Sequence, residues 1–154
     1  DTEIIAPVSC KNRIKGNNIT FVKPDDLIYI EGIKIVAVDA YNTQEGRSTR
    51  KVHHKGDFVG YLINNNNKSI YFAGDTDLIP EMSGLGDVDV AFLPIGGTFV
   101  MDIEEAAKAV CIINPKVVFP MHQSSKDPEI FKREVSLKSD SKVIILEVGE
   151  KARE

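Results

Sequence analysis

Asp75, His122 and the His53–His54 pair are the residues of this chain whose types and placement could bind a cation. In SIYFAGDTD (69–77) the apolar run Ile70, Tyr71, Phe72, Ala73 stops at Gly74, and Asp75, Thr76 and Asp77 follow at once. A buried strand that ends on glycine and then offers a carboxylate puts acid at the rim of a sheet, where α/β proteins hold ligands and metals. His122 closes a second apolar run, KVVFPMH (116–122), and His53 and His54 lie in a polar stretch. These are the only three histidines, and all fall at loops or strand ends. Imidazole with carboxylate suits zinc, manganese or iron. Each feature has a plain explanation by itself. Gly-Asp is ordinary turn chemistry, a histidine at a strand end is commonly a surface residue, and Lys51 and Lys55 mark a solvated basic loop. Their joint placement is what points to a metal.

The elements that must position these residues follow from the hydrophobic pattern. Ile4–Ala6, Ile19–Val22, Leu27–Ile30 and Ile33–Val38 read as strands, the last two a hairpin around Glu31-Gly32, with one helical turn over Ser9–Ile14. Residues 39–57 (DAYNTQEGRSTRKVHHKGD) form a polar loop whose length inside a compact domain points to function or mobility. Phe58–Ile63 and Ser69–Ala73 pair across four asparagines, 64–67. A short helix is expected at Pro80–Met82, ending at Gly84. From residue 87 strand and helix alternate: strand Val88–Leu93, a tight turn at Gly96-Gly97-Thr98, helix Asp102–Ile113, strand Lys116–Met121, helix Asp127–Leu137, strand Val143–Val148. That alternation is the signature of parallel strands with helices on a face. The 102–113 helix carries Ile103, Ala106, Ala107, Val110 and Ile113 on one side, with Asp102 and Glu105 as a capping box.

At 154 residues the chain fits one domain and can bury a core. Its 42% hydrophobic and 27% charged residues are those of a globular protein, and its net charge of −4 argues against nucleic acid as partner. No apolar run approaches membrane-spanning length and no signal peptide opens the chain, so a cytoplasmic protein without a membrane partner is expected. Cys10 and Cys111 form no CxxC pair, and Cys111 is expected as a reduced core thiol. The chain opens at Asp1 without methionine and enters a strand almost immediately, which reads as a piece of a longer polypeptide or a trimmed mature chain.

The succession HHKG (53–56), GYLI (60–63), IYFAGDTD (70–77), PEM (80–82), DVAFLPIGGTFVMDIEEAA (89–107) and PKVVFPMH (115–122) resembles the metallo-β-lactamase superfamily, in particular its ascorbate-6-phosphate-lactonase-like metal-dependent hydrolases. The similarity runs from about Ile33 to Val148. It implies an α/β fold, the C-terminal part of an αββα sandwich with metals between loop ends at one edge. By that resemblance Asp75 is the catalytic carboxylate that bridges two metals, His53 is a ligand of the first and His122 of the second. Thr76 and Thr98 then sit behind the ligands or in the pocket wall. The family's first motif, HxHxDH, is absent, and the family strand after it corresponds to about Glu3–Ala6. The chain is accordingly expected to be a single domain over 1–154 that lacks the first strands of the fold.

Two functional classes follow. One is a metal-dependent hydrolase: a divalent metal, zinc or manganese, two ions if the missing motif is supplied, makes a metal-bound hydroxide that attacks an ester, lactone or phosphoester. Its substrate is a small molecule, a phosphorylated one being compatible, and Arg47, Arg50 and Lys51 are candidates to orient an anionic group. The other is a non-catalytic remnant or interaction module, inactive in this form. It would pair with another chain, or with a second copy, through the half-sheet left uncovered. A haloacid-dehalogenase-like phosphatase is excluded. Its DxDx[TV] nucleophile has no counterpart, since the early pair Asp25-Asp26 is flanked by Pro24 and Leu27.

Overall fold

The apolar runs become strands of two sheets in the computed structural model, which describes residues 2–146. The small sheet pairs β1 (Ile4–Pro7) and β2 (Ile19–Val22) in parallel. The large one holds β3 (Leu27–Ile30), β4 (Ile33–Asp39), β5 (Val59–Asn65), β6 (Lys68–Phe72), β7 (Val90–Pro94), β8 (Val117–Met121) and β9 (Lys142–Val143), side by side in chain order. Neighbours are antiparallel from β3 to β6, where short turns join them, and parallel from β6 to β9. The parallel half needs crossovers. Two of these contain α1 (Ile103–Ile113) and α2 (Pro128–Ser136), and the β6–β7 connection carries a 3₁₀ turn at Pro80–Gly84.

One face of the large sheet meets the helices. Tyr71, Leu93 and Val118 are buried there with Ala106 and Val110 of α1 and Phe131 and Val135 of α2. Strand side chains alternate faces, so Phe72, Phe92 and Phe119, cross-strand neighbours in register, line the other side. Their ring centroids are 5.9 and 4.9 Å apart, and Phe72 is largely exposed. The small sheet is tied to this second face through the Tyr61 hydroxyl, which donates to the Ile5 carbonyl at 3.2 Å. Apolar residues on both faces explain why the strands read as continuous hydrophobic runs.

Asp102 caps α1 as expected: its Oδ1 accepts the Glu105 N–H at 2.9 Å. The reciprocal half of the capping box does not form. The Glu105 side chain is buried and instead accepts the Arg47 N–H at 3.1 Å. Asn114, in the left-handed region at φ 50°, ends the helix. Three other expectations are corrected. Cys111 is exposed rather than in the core, because it follows the buried Val110 by one residue, about 100° around the helix. The helical turn near residue 10 is a 3₁₀ turn over Val8–Cys10. The last strand is the edge pair Lys142–Val143; Ile144 continues the ladder with one bond to the Val118 carbonyl, and residues 147 and 148 lie outside the described range. Among the described residues no helix is long and apolar enough to cross a membrane.

The topology fixes where chemistry can happen. Because β6, β7 and β8 run parallel, their C-terminal ends share one lip of the sheet. The end of β4 and the start of β5 lie at that same lip through antiparallel pairing.

Candidate metal centre

Asp75, His122 and His53 converge on this lip from three separate connections. Gly74 makes the first possible. It takes φ +68°, and a Cβ there would stand 3.0 Å from the Val59 carbonyl oxygen, so only glycine lets β6 turn outward against β5 and present Asp75. His122 follows β8 directly and is itself left-handed, with φ 46°. Its turn is packed against Gly96 so closely that a Cβ on Gly96 would lie 2.5 Å from the His122 carbonyl oxygen. His53 arrives from the long 40–58 connection, which has no strand or helix of its own.

Both imidazoles face the same oxygen. His53 Nε2 is 3.6 Å and His122 Nε2 3.7 Å from Asp75 Oδ2, with side-chain exposures of 12% for His53, 39% for His122 and 40% for Asp75. These separations are too long for hydrogen bonds. They are close to those of two donors that share one cation, since ligands at about 2.1 Å from a common ion stand roughly 3.4–3.6 Å apart at tetrahedral to trigonal angles. His53 has the matching orientation. Its Nδ1 lies 3.1 Å from the Phe99 carbonyl, which can only accept, so Nδ1 carries a proton and Nε2 is the ring nitrogen turned toward Asp75. Metal-binding histidines are held in that tautomer by the same device. The Phe58 ring packs edge-on against His53 at 4.9 Å. Among the described residues no three or more His, Cys, Asp and Glu side chains stand together as a group able to hold a metal ion. Each imidazole approaches Asp75 separately, and the donor types, two imidazoles and a carboxylate, suit a divalent ion.

The remaining sequence candidates divide by what they touch. Thr76 is fully buried behind Asp75. Its Oγ accepts the Tyr41 N–H at 3.1 Å, its hydroxyl lies 2.8 Å from the Asp77 carbonyl, and its own carbonyl takes the Met101 N–H at 3.0 Å. It clamps three segments together. Thr98 is exposed at the lip, and its carbonyl accepts the Arg50 N–H at 2.7 Å. Arg47 pairs with Asp102 and Glu104 at the start of α1. Lys51 turns inward, its Nζ donating to the Gly46 carbonyl at 2.7 Å, Ser48 Oγ at 2.9 Å and Asp77 Oδ2 at 2.9 Å. Arg50 is exposed and lies over the Phe99 ring at 5.9 Å, with no ion pair among the described residues. Of the three cations, it alone has no carboxylate partner among the described residues.

Sequence reasoning overlooked Asp77 and Asn42. Asp77 is 0% exposed and accepts from Lys51, from the Thr43 N–H at 2.9 Å and from Asn42 Nδ2 at 3.2 Å. A signal existed: a carboxylate so close behind a buried strand must find a partner, and the cation-rich 39–57 loop was the nearest source. Asn42 gave no such signal.

Residues 8–122 match the beta-lactamase superfamily domain. The chain is 40% identical over 131 residues to a UPF0173 metal-dependent hydrolase of Methanosarcina barkeri, an alignment covering 80% of this chain and 57% of that protein. It is 42% identical over 132 residues to one of Methanopyrus kandleri, with the same two coverages. Among solved structures it is similar to a protein of Parabacteroides distasonis described as a metal-dependent hydrolase, with TM-score 0.85 and 36% identity, over 97% of this chain and 66% of the other. A metallo hydrolase of Ignicoccus hospitalis gives TM-score 0.79 and 29% identity, over 96% and 66%. The chain thus spans little more than half the length of these two curated relatives.

Proposed function

The chain belongs to the beta-lactamase superfamily, and on that premise we propose that it is a metal-dependent hydrolase in which His53, Asp75 and His122 hold a divalent cation used to hydrolyse an ester, lactone or phosphoester of a small anionic molecule. The observation that carries the reading is one carboxylate oxygen facing two imidazole Nε2 atoms at 3.6 and 3.7 Å, brought from three different connections. A divalent ion there, zinc or manganese by donor type, polarises the scissile carbonyl or phosphoryl group and makes water nucleophilic at neutral pH. The protein's own residues do the rest. Phe99 holds His53 in the tautomer that presents Nε2. Asp75 and His122 are exposed enough for a ligand to reach them. Arg50 stands at the rim, where a guanidinium can take a phosphate or carboxylate in a two-pronged hydrogen bond. The alternative of a non-catalytic module gives no reason for two imidazole Nε2 atoms turned onto one carboxylate oxygen.

Titration calorimetry with Zn²⁺ and Mn²⁺ tests the reading. The protein is expected to bind, and Asp75→Ala, His53→Ala and His122→Ala are each expected to lose at least tenfold in affinity. His54→Ala is expected to bind as the parent does, since His54 is exposed beside the site. Equal binding by the Asp75→Ala protein, or no binding by the parent, overturns the assignment.

A further inference from the structure

We propose that Asn42 is a positioning residue that sets both the backbone and the ring of His53 from one side chain. The inference rests on the reading of His53 as a metal ligand. Asn42 Oδ1 accepts the N–H of Val52 at 3.0 Å and of His53 at 2.9 Å, and the Asn42 backbone N–H donates to the His53 carbonyl at 2.9 Å. Both polar backbone groups of His53 are therefore satisfied by one residue, in a connection that has no ladder to hold it. Asn42 Nδ2 donates to the Phe99 carbonyl at 2.9 Å, the same oxygen that takes the His53 Nδ1 proton at 3.1 Å. One amide thus fixes where the ring is attached and where its hydrogen-bond acceptor stands.

The amide orientation is itself determined. The second Nδ2 hydrogen faces Asp77 Oδ1 and Ser48 Oγ, each at 3.2 Å. A flipped amide would set oxygen against the Phe99 carbonyl and the Asp77 carboxylate, and NH₂ against two N–H donors, so these four partners select the same orientation. The order of control runs from Asp77 to the Asn42 amide, from Asn42 to residues 52–53 and the Phe99 carbonyl, and from that carbonyl to the Nδ1–H tautomer. Hydrogen-bond partners of this kind commonly change metal affinity about 10–100-fold when removed.

Nuclear magnetic resonance on the metal-free protein, with zinc titration beside it, tests the proposal. In the parent protein the amides of Val52 and His53 are expected to exchange slowly although the Val52 side chain is exposed, and the ¹⁵N shifts of His53 to report the Nδ1–H tautomer. Asn42→Ala removes both signatures and weakens Zn²⁺ about 10–100-fold, while the amides of β5, β6 and β7 stay protected. Ser48→Ala, which loses a partner of Asn42 but touches neither His53 nor Phe99, keeps the tautomer. If Asn42→Ala does not fold, the parent alone decides: rapid exchange at both amides, or an Nε2–H tautomer, overturns the proposal. A parent that binds zinc while Asn42→Ala binds it equally overturns the positioning role alone. A parent that binds no zinc overturns the ligand reading and this inference with it.

Discussion

Gly96→Ala is the sharpest test of how the lip is built, because the substitution adds one methyl group at a point where the neighbour is backbone. The new Cβ would stand 2.5 Å from the His122 carbonyl oxygen, with Ser124 Oγ at 3.3 Å and His122 Nδ1 at 3.4 Å. Reaching 3.0 Å, the shortest approach real Cβ atoms make, requires 0.5 Å of movement (3.0 − 2.5), and an ordinary 3.4 Å contact requires 0.9 Å (3.4 − 2.5). The movement cannot be taken up beside Gly96. The Ile95 N–H is bonded to the Met121 carbonyl at 3.1 Å and the Gly97 N–H to the Met101 carbonyl at 3.0 Å. The shift passes to the left-handed His122 and changes its 3.7 Å approach to Asp75. Overpacking of this size costs about 1–3 kcal/mol, which for a chain of this length lowers Tm by roughly 2–12 °C. Zinc affinity should fall about tenfold or more, as it does when a ligand loses its support. Calorimetric melting and zinc titration are the assays, with Gly84→Ala as control, since a Cβ there meets nothing within 4 Å. A Gly96→Ala protein that melts and binds zinc like the Gly84→Ala protein refutes the packing argument.

The Asp77–Lys51 pair should be asymmetric: Lys51→Met strands a carboxylate that is 0% exposed and costs about 3–5 kcal/mol, whereas Asp77→Asn leaves a lysine that is 30% exposed, able to reach water, and costs about 1–3 kcal/mol. Urea unfolding of the two variants measures this, and an equal or reversed order refutes it. At the opposite end of the sheet, Lys116 at 2.6 Å and the Ser69 N–H at 2.9 Å hold the Asp89 carboxyl down to about 2, against an ordinary 3.8. A depressed carboxyl contributes stability that is present above 3.8 and lost as pH falls through about 2. Lys116→Met should therefore flatten the loss of stability across that window without touching zinc binding; an unchanged acid-unfolding slope refutes it.

The strands and helices were legible because each rests on a local pattern: apolar runs stopped by Gly74, Pro94 or His122, and the 3.6-residue spacing of Ala106, Val110 and Ile113. The residue types of Asp75, His53 and His122 pointed to a shared cation, but resemblance alone assigned each its place, since nothing local says where a nineteen-residue loop will place a histidine. Local pattern misled at Cys111, where an apolar neighbourhood concealed an outward helix position. It also misled on charge. Arg47, Arg50 and Lys51 look equivalent along the chain, yet only tertiary contacts separate a cation paired with the α1 N-terminus, one held by a buried carboxylate and one facing solvent.

That separation bears on why the loop is so basic. Arg47 neutralises Asp102 and Glu104, whose charges already favour the N-terminus of α1. Lys51 is taken by Asp77. Two of the three cations thus fasten the loop to the segments on either side of it, one at the helix start and one behind the GDTD turn. The two fastenings respond differently to salt. Exposed pairs such as Arg47–Glu104 are screened within a Debye length of about 8 Å at physiological ionic strength, while a carboxylate with no exposed surface is screened far less. His53 lies two residues beyond Lys51, on the screened-least side, and is bonded to Asn42, whose amide reaches the same Asp77 carboxylate that takes Lys51. The position of the His53 imidazole is therefore set by buried hydrogen bonds rather than by the surface charge that makes the loop conspicuous in the sequence. Arg50 takes no part in either fastening and lies over the Phe99 ring, so on the proposed reading it contacts an anion without loosening His53.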